Sequence, residues 1–508
     1  MLRRRPLVLL VGAFLSLGGT RALASPVPVA QFNWTQQQKL FIENPMVGDL
    51  AAQAIGLSGD VIIVGAAEAD LKGSRSGVAQ VFVRAGGSFA PTQTLSPDDG
   101  QPDDYFGHAV DVDGDIAIIS AALDDDNGLN KGSAYVYARS GGVYTMQQKL
   151  LAPPATLGSY ASTVAVSGTT ILLGGEGSGG FVYTQSGSTW SLQQKIAPAD
   201  HVTTHFGNAV DLSGDTAIIA AFADPTMSVD GGSASLYVRS GATWTEQQKV
   251  FPSDPTVGQN FGYSVAIDGD TAVVGAIGDS EKGTWAGAAY VFVRNGVTWS
   301  QQQKLVASDA QERAQFGWGV AVQGDRVLIG TPTMKTAVTQ PGAAYVFERS
   351  GGVWTEANKL TASDAVAVEN RFGWSCRLDG ETAVVGAPSD AEKGGSSGAA
   401  YVFAMEMGGS GGMGGAGGMG GAGGAGGSGG MGGSGGMGGS GGMGGSGGMG
   451  GSGGAPSTEE SGCGCRMAGA ERGGGAAWLL ALGGVVLAGS QRRARSRSIV
   501  RRGDGSTF

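Results

Sequence analysis

The chain has 508 residues, 95 of them glycine, and a formal charge of −10. Of its 33 Lys and Arg, four precede residue 25 and eight follow residue 462, leaving 21 between them against 41 acidic residues, a net of about −20 there. That balance argues against nucleic acid as a partner, because phosphate backbones are bound by basic surfaces. It suits solubility outside the cell or cation binding.

The chain opens with Arg3, Arg4 and Arg5, the apolar run "PLVLLVGAFLSLGG" and then Ala22-Leu23-Ala24. Charge, hydrophobic run and small residues in that order predict a secretory signal over 1–24, cleaved after Ala24. A segment "WTQQQKL" follows at 34–40 and returns as "WTEQQKV" at 244–250 and "WSQQQKL" at 299–305. Aligned on its aromatic residue it gives Trp34, Phe89, Tyr144, Trp190, Trp244, Trp299 and Trp354, spaced 55, 55, 46, 54, 55 and 55. A period this regular indicates a repeat fold.

Within the copy "FGYSVAIDGDTAVVGA" (261–276), two β-rich segments flank Asp268-Gly269-Asp270, a strong hairpin signal. A second hairpin follows in "GAAYVFVRNGVTWSQQQKL" (287–305), about the turn residues Asn295 and Gly296. Four short strands per period with no helical segment predict an all-β, seven-bladed β-propeller over 32–404. The third copy is short because its Gly174 to Phe181 connection is reduced, which spares the strands. The seventh set begins at Phe372, reaches "AYVF" at 400–403 and lacks a fourth strand, and the segment at 34–40 is a fourth strand without a blade. The ring is expected to close by pairing these two ends, which removes open sheet edges.

Residues 405–461 are rich in Gly, Met, Ser and Ala and have no apolar face to bury, so they read as a disordered tether. The region 462–508 holds "GCGCR", an apolar span at 473–490 and Arg492, Arg493, Arg495 and Arg497. The span is marginal in length for a bilayer, and the arginines after it fit a stop-transfer segment.

The repeated Phe-Gly pairs (Phe106-Gly107, Phe206-Gly207, Phe261-Gly262, Phe316-Gly317, Phe372-Gly373), each in register with "VGA"-type segments such as 64–66, 274–276 and 385–387, resemble the FG-GAP repeat, the propeller of integrin α-chain heads and of many bacterial surface proteins. Copy three departs with Tyr160-Ala161, and copy one lacks the pair. The resemblance implies Asp-rich calcium loops between the first two strands of a blade. Here those loops are reduced to turns such as "DGD", too short to wrap six to eight oxygens around an ion. No cofactor is therefore expected, with calcium the alternative. The acids after "GA" (Asp124 to Asp126, Asp279 with Glu281, Asp390 with Glu392) are expected to be solvated loop residues. The C-terminal region resembles the MYXO-CTERM sorting signal of myxobacterial surface proteins. That implies a sorting protease as partner, processing near Cys463 and Cys465, and attachment to the membrane through the span or a lipid.

No GxSxG, HExxH or P-loop pattern occurs. His108 follows an "FG", and His201 and His205 have a metal-like i, i+4 spacing but fall in a propeller loop rather than on a helix. Cys376 takes the place of a small apolar strand residue and is expected to be an inert buried thiol. The aromatic residues Tyr290, Phe292, Trp299, Tyr345, Phe347 and Trp354 are expected in the core. The resulting expectation is an exported, surface-anchored interaction module that binds an extracellular protein or glycan, without catalysis. The alternatives are an enzyme using convergent acids at the central channel, or a structural coat protein.

Overall fold

The computed structural model describes residues 32–407, apart from loop positions 155, 157–158, 199, 201–204, 334–340 and 365–369. The signal segment with Ala24, His201, the tether from 408 onward and the C-terminal region with Cys463 and Cys465 lie outside the described residues.

Twenty-eight strands, numbered β1 to β28 in chain order, form seven four-stranded antiparallel sheets among the described residues. The fifth blade is representative: β18 (Phe261–Asp268), β19 (Thr271–Ala276), β20 (Ala288–Asn295) and β21 (Thr298–Leu305) pair in that order. Strand β19, "TAVVGA", is buried along its whole length, as a strand covered on both faces by neighbouring blades should be. Strand β21 alternates more and forms the outer edge. The second hairpin turns at Gly296-Val297, one residue later than expected, with Asn295 still paired to Thr298.

The first strands of successive blades touch in a closed circuit around one axis. They are β2 (Ala54–Ser58), β6 (Phe106–Asp113), β10 (Thr163–Ser167), β14 (Val210–Ser213), β18, β22 (Val320–Gln323) and β26 (Cys376–Asp379). The architecture is therefore an all-β, seven-bladed propeller. In the seventh blade, β1 (Phe32–Leu40) pairs antiparallel with β28 (Ala399–Met407), which pairs with β27 (Thr382–Ala387) and so with β26. The N-terminal strand thus completes the last blade. Because β28 runs to Met407, the strand takes the first three residues assigned to the tether.

The Phe-Gly signature has a steric cause. Phe261 packs edge-on against Tyr290 and Phe292 of its own blade. The glycines beside such phenylalanines hold φ between 92° and 97°, a region closed to most side chains. A Cβ on Gly275 would collide with the carbonyl of Gly317 in the next blade, and one on Gly330 with that of Gly373. Where copies one and three lack the glycine, Ala52 (φ 69°) and Ala161 (φ 55°) keep the left-handed turn.

The glutamine run also has a cause. In the fifth blade the register shifts so that Gln302 is an extra, bulged residue, and a bulge re-aims its side chain. Gln302 accepts the indole N–H of Trp354 in the next blade (2.7 Å). Gln303 accepts the Trp354 backbone N–H (2.9 Å) and donates to its carbonyl (2.8 Å). The same backbone clasp joins Gln38 to Phe89, Gln93 to Tyr144, Gln148 to Trp190, Gln194 to Trp244 and Gln248 to Trp299.

At the junction of blades six and seven, Ala357 and Asn358 replace the two glutamines. Trp34 Nε1 and Asn358 Oδ1 are then buried without a partner. The combined change Ala357→Gln and Asn358→Gln is expected to stabilise the protein by about 1–3 kcal/mol by satisfying both groups. A thermal melt checks it; an unchanged or lower midpoint would show that this junction cannot adopt the clasp.

Candidate binding face

Each inner strand runs from the end of the ring where the Phe-Gly pair sits to a turn such as Gly269-Asp270 at the other end. The longer connections, between second and third strands and between blades, all lie at the Phe-Gly end. The ring therefore has a loop face and a turn face.

At the turn face the short acidic turns are already engaged. Asp268 accepts the backbone N–H of Gly324 in the next blade (2.7 Å), and Asp270 pairs with Arg294 (2.6 Å), as Asp215 does with Arg239 and Asp325 with Arg349. All seven turns take part: the N–H of Gly59, Gly114, Gly168, Gly214, Gly269, Gly324 and Gly380 each donates to a side chain of the preceding blade.

At the loop face, the acids expected to be solvated are divided. Asp125, Asp126, Glu281 and Glu392 are exposed, but Asp124, Asp279 and Asp390 are buried, 2%, 3% and 5% exposed. Each buried acid meets a lysine from the outer strand. Lys304 Nζ lies 2.6 Å from Asp254, 2.8 Å from Asp279 and 3.0 Å from Glu281. Its cross-strand partner Tyr290 donates to both Asp254 (2.8 Å) and Asp279 (2.9 Å). Lys149 is held likewise by Asp99, Asp124 and Asp126, and Lys39 by Asp364, Asp390 and Glu392. Lys249 meets Asp200 and Asp224, and Lys359 meets Asp309. The solvated reading is thus corrected for the three buried acids: a carboxylate this buried requires a counter-charge, and the strand supplies one.

The members of the set vary between copies. In blade one the lysine position is Thr94, its tyrosine partner is Gln80 and the buried acid is Ala69, so all three change together. In blade three Phe181 replaces the tyrosine opposite Lys195, and Pro154 stands where the preceding loop carries its acid elsewhere. Against the burial that opposes it, the lysines hold Asp124, Asp224 and Asp279 below the usual carboxylate value, and they lower the exposed Asp309 and Asp364 against a partial loss of solvent. In turn the carboxylates raise Lys39, Lys149, Lys249 and Lys304 against the same desolvation. The clusters of Lys39, Lys149, Lys249 and Lys304 each tie two loops to the outer strands of a blade, and Lys359 ties one, with an ammonium where a metal ion would otherwise balance the acids. Calorimetric titration with calcium is accordingly expected to give no stoichiometric uptake, and a chelator no change in melting temperature. An ion taken up per blade would show that the lysines are displaced.

Near the axis, Asp111 and Asp211 are raised by burial first, Asp211 to about 7 with Asp111 contributing. Both are used structurally: Asp111 accepts the N–H of Val166 (2.8 Å), and Asp211 those of Leu212 (2.9 Å) and Ile267 (2.7 Å). Arg377 spans from blade seven to the Val110 carbonyl of blade two. His108 lies in strand β6, beside its Phe-Gly pair; burial lowers its pKa, and Nδ1 has no partner. His205 pairs with Glu176 and stacks on Phe222 (4.4 Å). Cys376 is buried and free, its thiol pushed up to about 12 by burial. Among the described residues no three His, Cys, Asp or Glu side chains are placed to hold a metal.

Sequence reasoning named His108 but did not align it with the same register position of the other copies, two of which lack the Phe-Gly pair. The positions are Gln53, His108, Ser162 and Asn208, then Tyr263, Trp318 and Trp374. The last three form an arc at the loop-face end of the axis, with ring centroids 4.8 Å apart (Tyr263–Trp318) and 4.5 Å apart (Trp318–Trp374). The signal was their shared register in the repeat.

Among curated proteins none matches the chain. The FG-GAP repeat model matches six segments, 34–82, 89–137, 190–238, 244–292, 299–347 and 354–403, passing over the shortened third copy. With more than half of its length matched in register with the blades, this chain belongs to the FG-GAP repeat family.

Proposed function

We propose that the protein is exported, anchored at the cell surface, and uses its loop face to bind an extracellular protein or glycan without catalysis. The observation that carries this reading is the set of lysine clusters in five blades. They fix loops of differing sequence onto a repeated scaffold, and holding loops in one conformation before contact lowers the entropic cost of binding. The FG-GAP fold, typically a binding fold, supports it. Secretion, with cleavage after Ala24, and anchoring through the region around Cys463 and Cys465 rest on the sequence order described above.

The test is surface labelling of intact cells producing the full chain, together with attachment of those cells, and of cells lacking it, to neighbouring cells and to extracellular matrix. Labelling of intact cells and loss of attachment on deletion are expected. A chain protected from labelling, or attachment unchanged by deletion, would overturn the reading. Self-association of the purified chain without any other ligand would favour a coat protein instead.

A further inference from the structure

We infer that the junction of blades seven and one holds a binding site for a small neutral aromatic ring that carries one N–H or O–H donor. The site lies at the seam closed by β1 and not on the loop face, so the inference goes beyond the binding reading above and does not depend on it.

The first ground is a cavity of about 120 Å³ at this seam, lined from blade seven by Gln37, Thr382, Phe403 and Glu406 and from blade one by Arg84 and Phe89. An apolar cavity on the order of 150 Å³ takes a benzene ring, so this one has room for a single ring and not for two fused rings. Gln37 and Glu406 are exposed, which puts the entrance on their side.

The second ground is the origin of the cavity. At four other junctions the same enclosure is filled by an indole. Trp190, Trp244, Trp299 and Trp354 each donate the ring N–H to the bulged glutamine of the preceding blade, at distances between 2.7 and 3.1 Å. Here the bulged glutamine is Gln37, and the ring opposite is that of Phe89, which is smaller and has no donor. The rest of the enclosure is kept. Arg84 lies over Phe89 at 4.4 Å and donates to Thr382 (2.7 Å), as Arg349 lies over Trp354 at 4.9 Å and donates to Thr271 (3.2 Å). The walls are therefore those of an indole site of which part stands vacant.

The third ground is hydrogen bonding. Gln37 donates through Nε2 to Thr35 (2.7 Å) and Glu406 (3.0 Å), and its Oε1 has no partner among the described residues. A planar ring with one donor meets the Phe89 ring and that oxygen together. The next junction shows the contrast: Tyr144 again replaces tryptophan, but Thr92 holds the bulged position and the Tyr144 hydroxyl reaches the Gly114 carbonyl (3.4 Å), so no glutamine acceptor is left over. A charged ligand is disfavoured at the seam because Arg84 and Glu406, of opposite sign, flank the same space. A ligand seated there touches both blades, so it should stabilise the closed ring.

The experiment is thermal melting of the full-chain protein in rising concentrations of pyrrole, phenol or benzene. A saturable rise of the midpoint is expected with pyrrole and phenol, and a smaller one with benzene, which lacks the donor. Phe89→Trp fills the cavity from within and should abolish the response. Gln37→Leu, at an exposed position, should keep the fold and weaken pyrrole binding about tenfold, to the level of benzene. No shift in the wild type with any of the three, or the same shift in folded Phe89→Trp, overturns the inference. Should Phe89→Trp fail to fold, Gln37→Leu decides, and pyrrole binding unchanged in it overturns the inference.

Discussion

A chain that starts at residue 41 is expected not to fold as a propeller. Strand β1 pairs with β28 at eight positions, and its Trp34 and Leu40 are 7% and 4% exposed. Each of those side chains contributes about 2–3 kcal/mol of burial, and each ladder hydrogen bond about 1 kcal/mol net. The strand also supplies Lys39, the cation of the blade-seven cluster, and Gln38, which clasps Phe89 of blade one. The sum, on the order of 10 kcal/mol, is comparable to the whole net stability of a domain. The truncated chain should show no cooperative melt and should bind hydrophobic dye. A synthetic peptide of residues 31–42 added in trans should restore the transition, since the site it fills is an open sheet edge. An unchanged melt of the truncated chain would mean that the ring closes without β1.

Lys304→Met should destabilise the protein by about 3 kcal/mol near neutral pH, because it leaves the buried Asp279 without its counter-charge. The value sits at the low end of the range for a broken buried pair because Asp254 and Glu281, the other partners, face water. The pH dependence follows from the direction of the shifts. In the wild type Asp279 is held below its unfolded value, so its contribution is present above about pH 4 and is lost as pH falls through the folded value. In the variant burial is unopposed and the folded value rises, so stability is instead lost as pH rises. The two melting curves should therefore converge below about pH 4 and separate toward pH 7. A constant gap across that range would show that packing, not charge, sets the loss.

The lysines act in the opposite limb. With their values raised in the fold, their contribution is fully present below about pH 10.5 and is lost as pH rises through the higher folded values. Asp104, raised by burial to about 6, and Asp211, raised to about 7, oppose the paired acids in the mildly acidic range, since their contributions fade as pH rises through those values.

The ring was readable from sequence because its determinants are local and repeated. Asp268-Gly269 marks a hairpin, "TAVVGA" marks a strand covered on both faces, and the displaced copy at Trp34 to Leu40 gives the closure. Tyr290, Phe292, Trp299, Tyr345, Phe347 and Trp354 are all buried, as expected of blade-packing groups. The lysine clusters were missed because their members are far apart in sequence. Lys304 meets Asp254 fifty positions earlier, and a lysine ending an outer strand has the ordinary look of a solvated charge. Only comparison across copies, where Thr94, Gln80 and Ala69 replace the set together, carries that information. The aromatic arc was missed for a related reason: Tyr263, Trp318 and Trp374 are unremarkable singly and acquire meaning only when the blades bring one register position around one axis.

The closure by β1 also sets how the propeller resists pulling. The chain leaves through Met407 at the end of β28, which lies between β27 and β1 with antiparallel hydrogen bonds on both sides. Such bonds run across the strands, so tension applied along β28 from beyond Met407 loads both ladders in shear, with many bonds sharing the force at once. Without β1, half of that resistance would vanish. The strand that completes the ring is thus also a mechanical clamp on the segment through which any surface tether would transmit load.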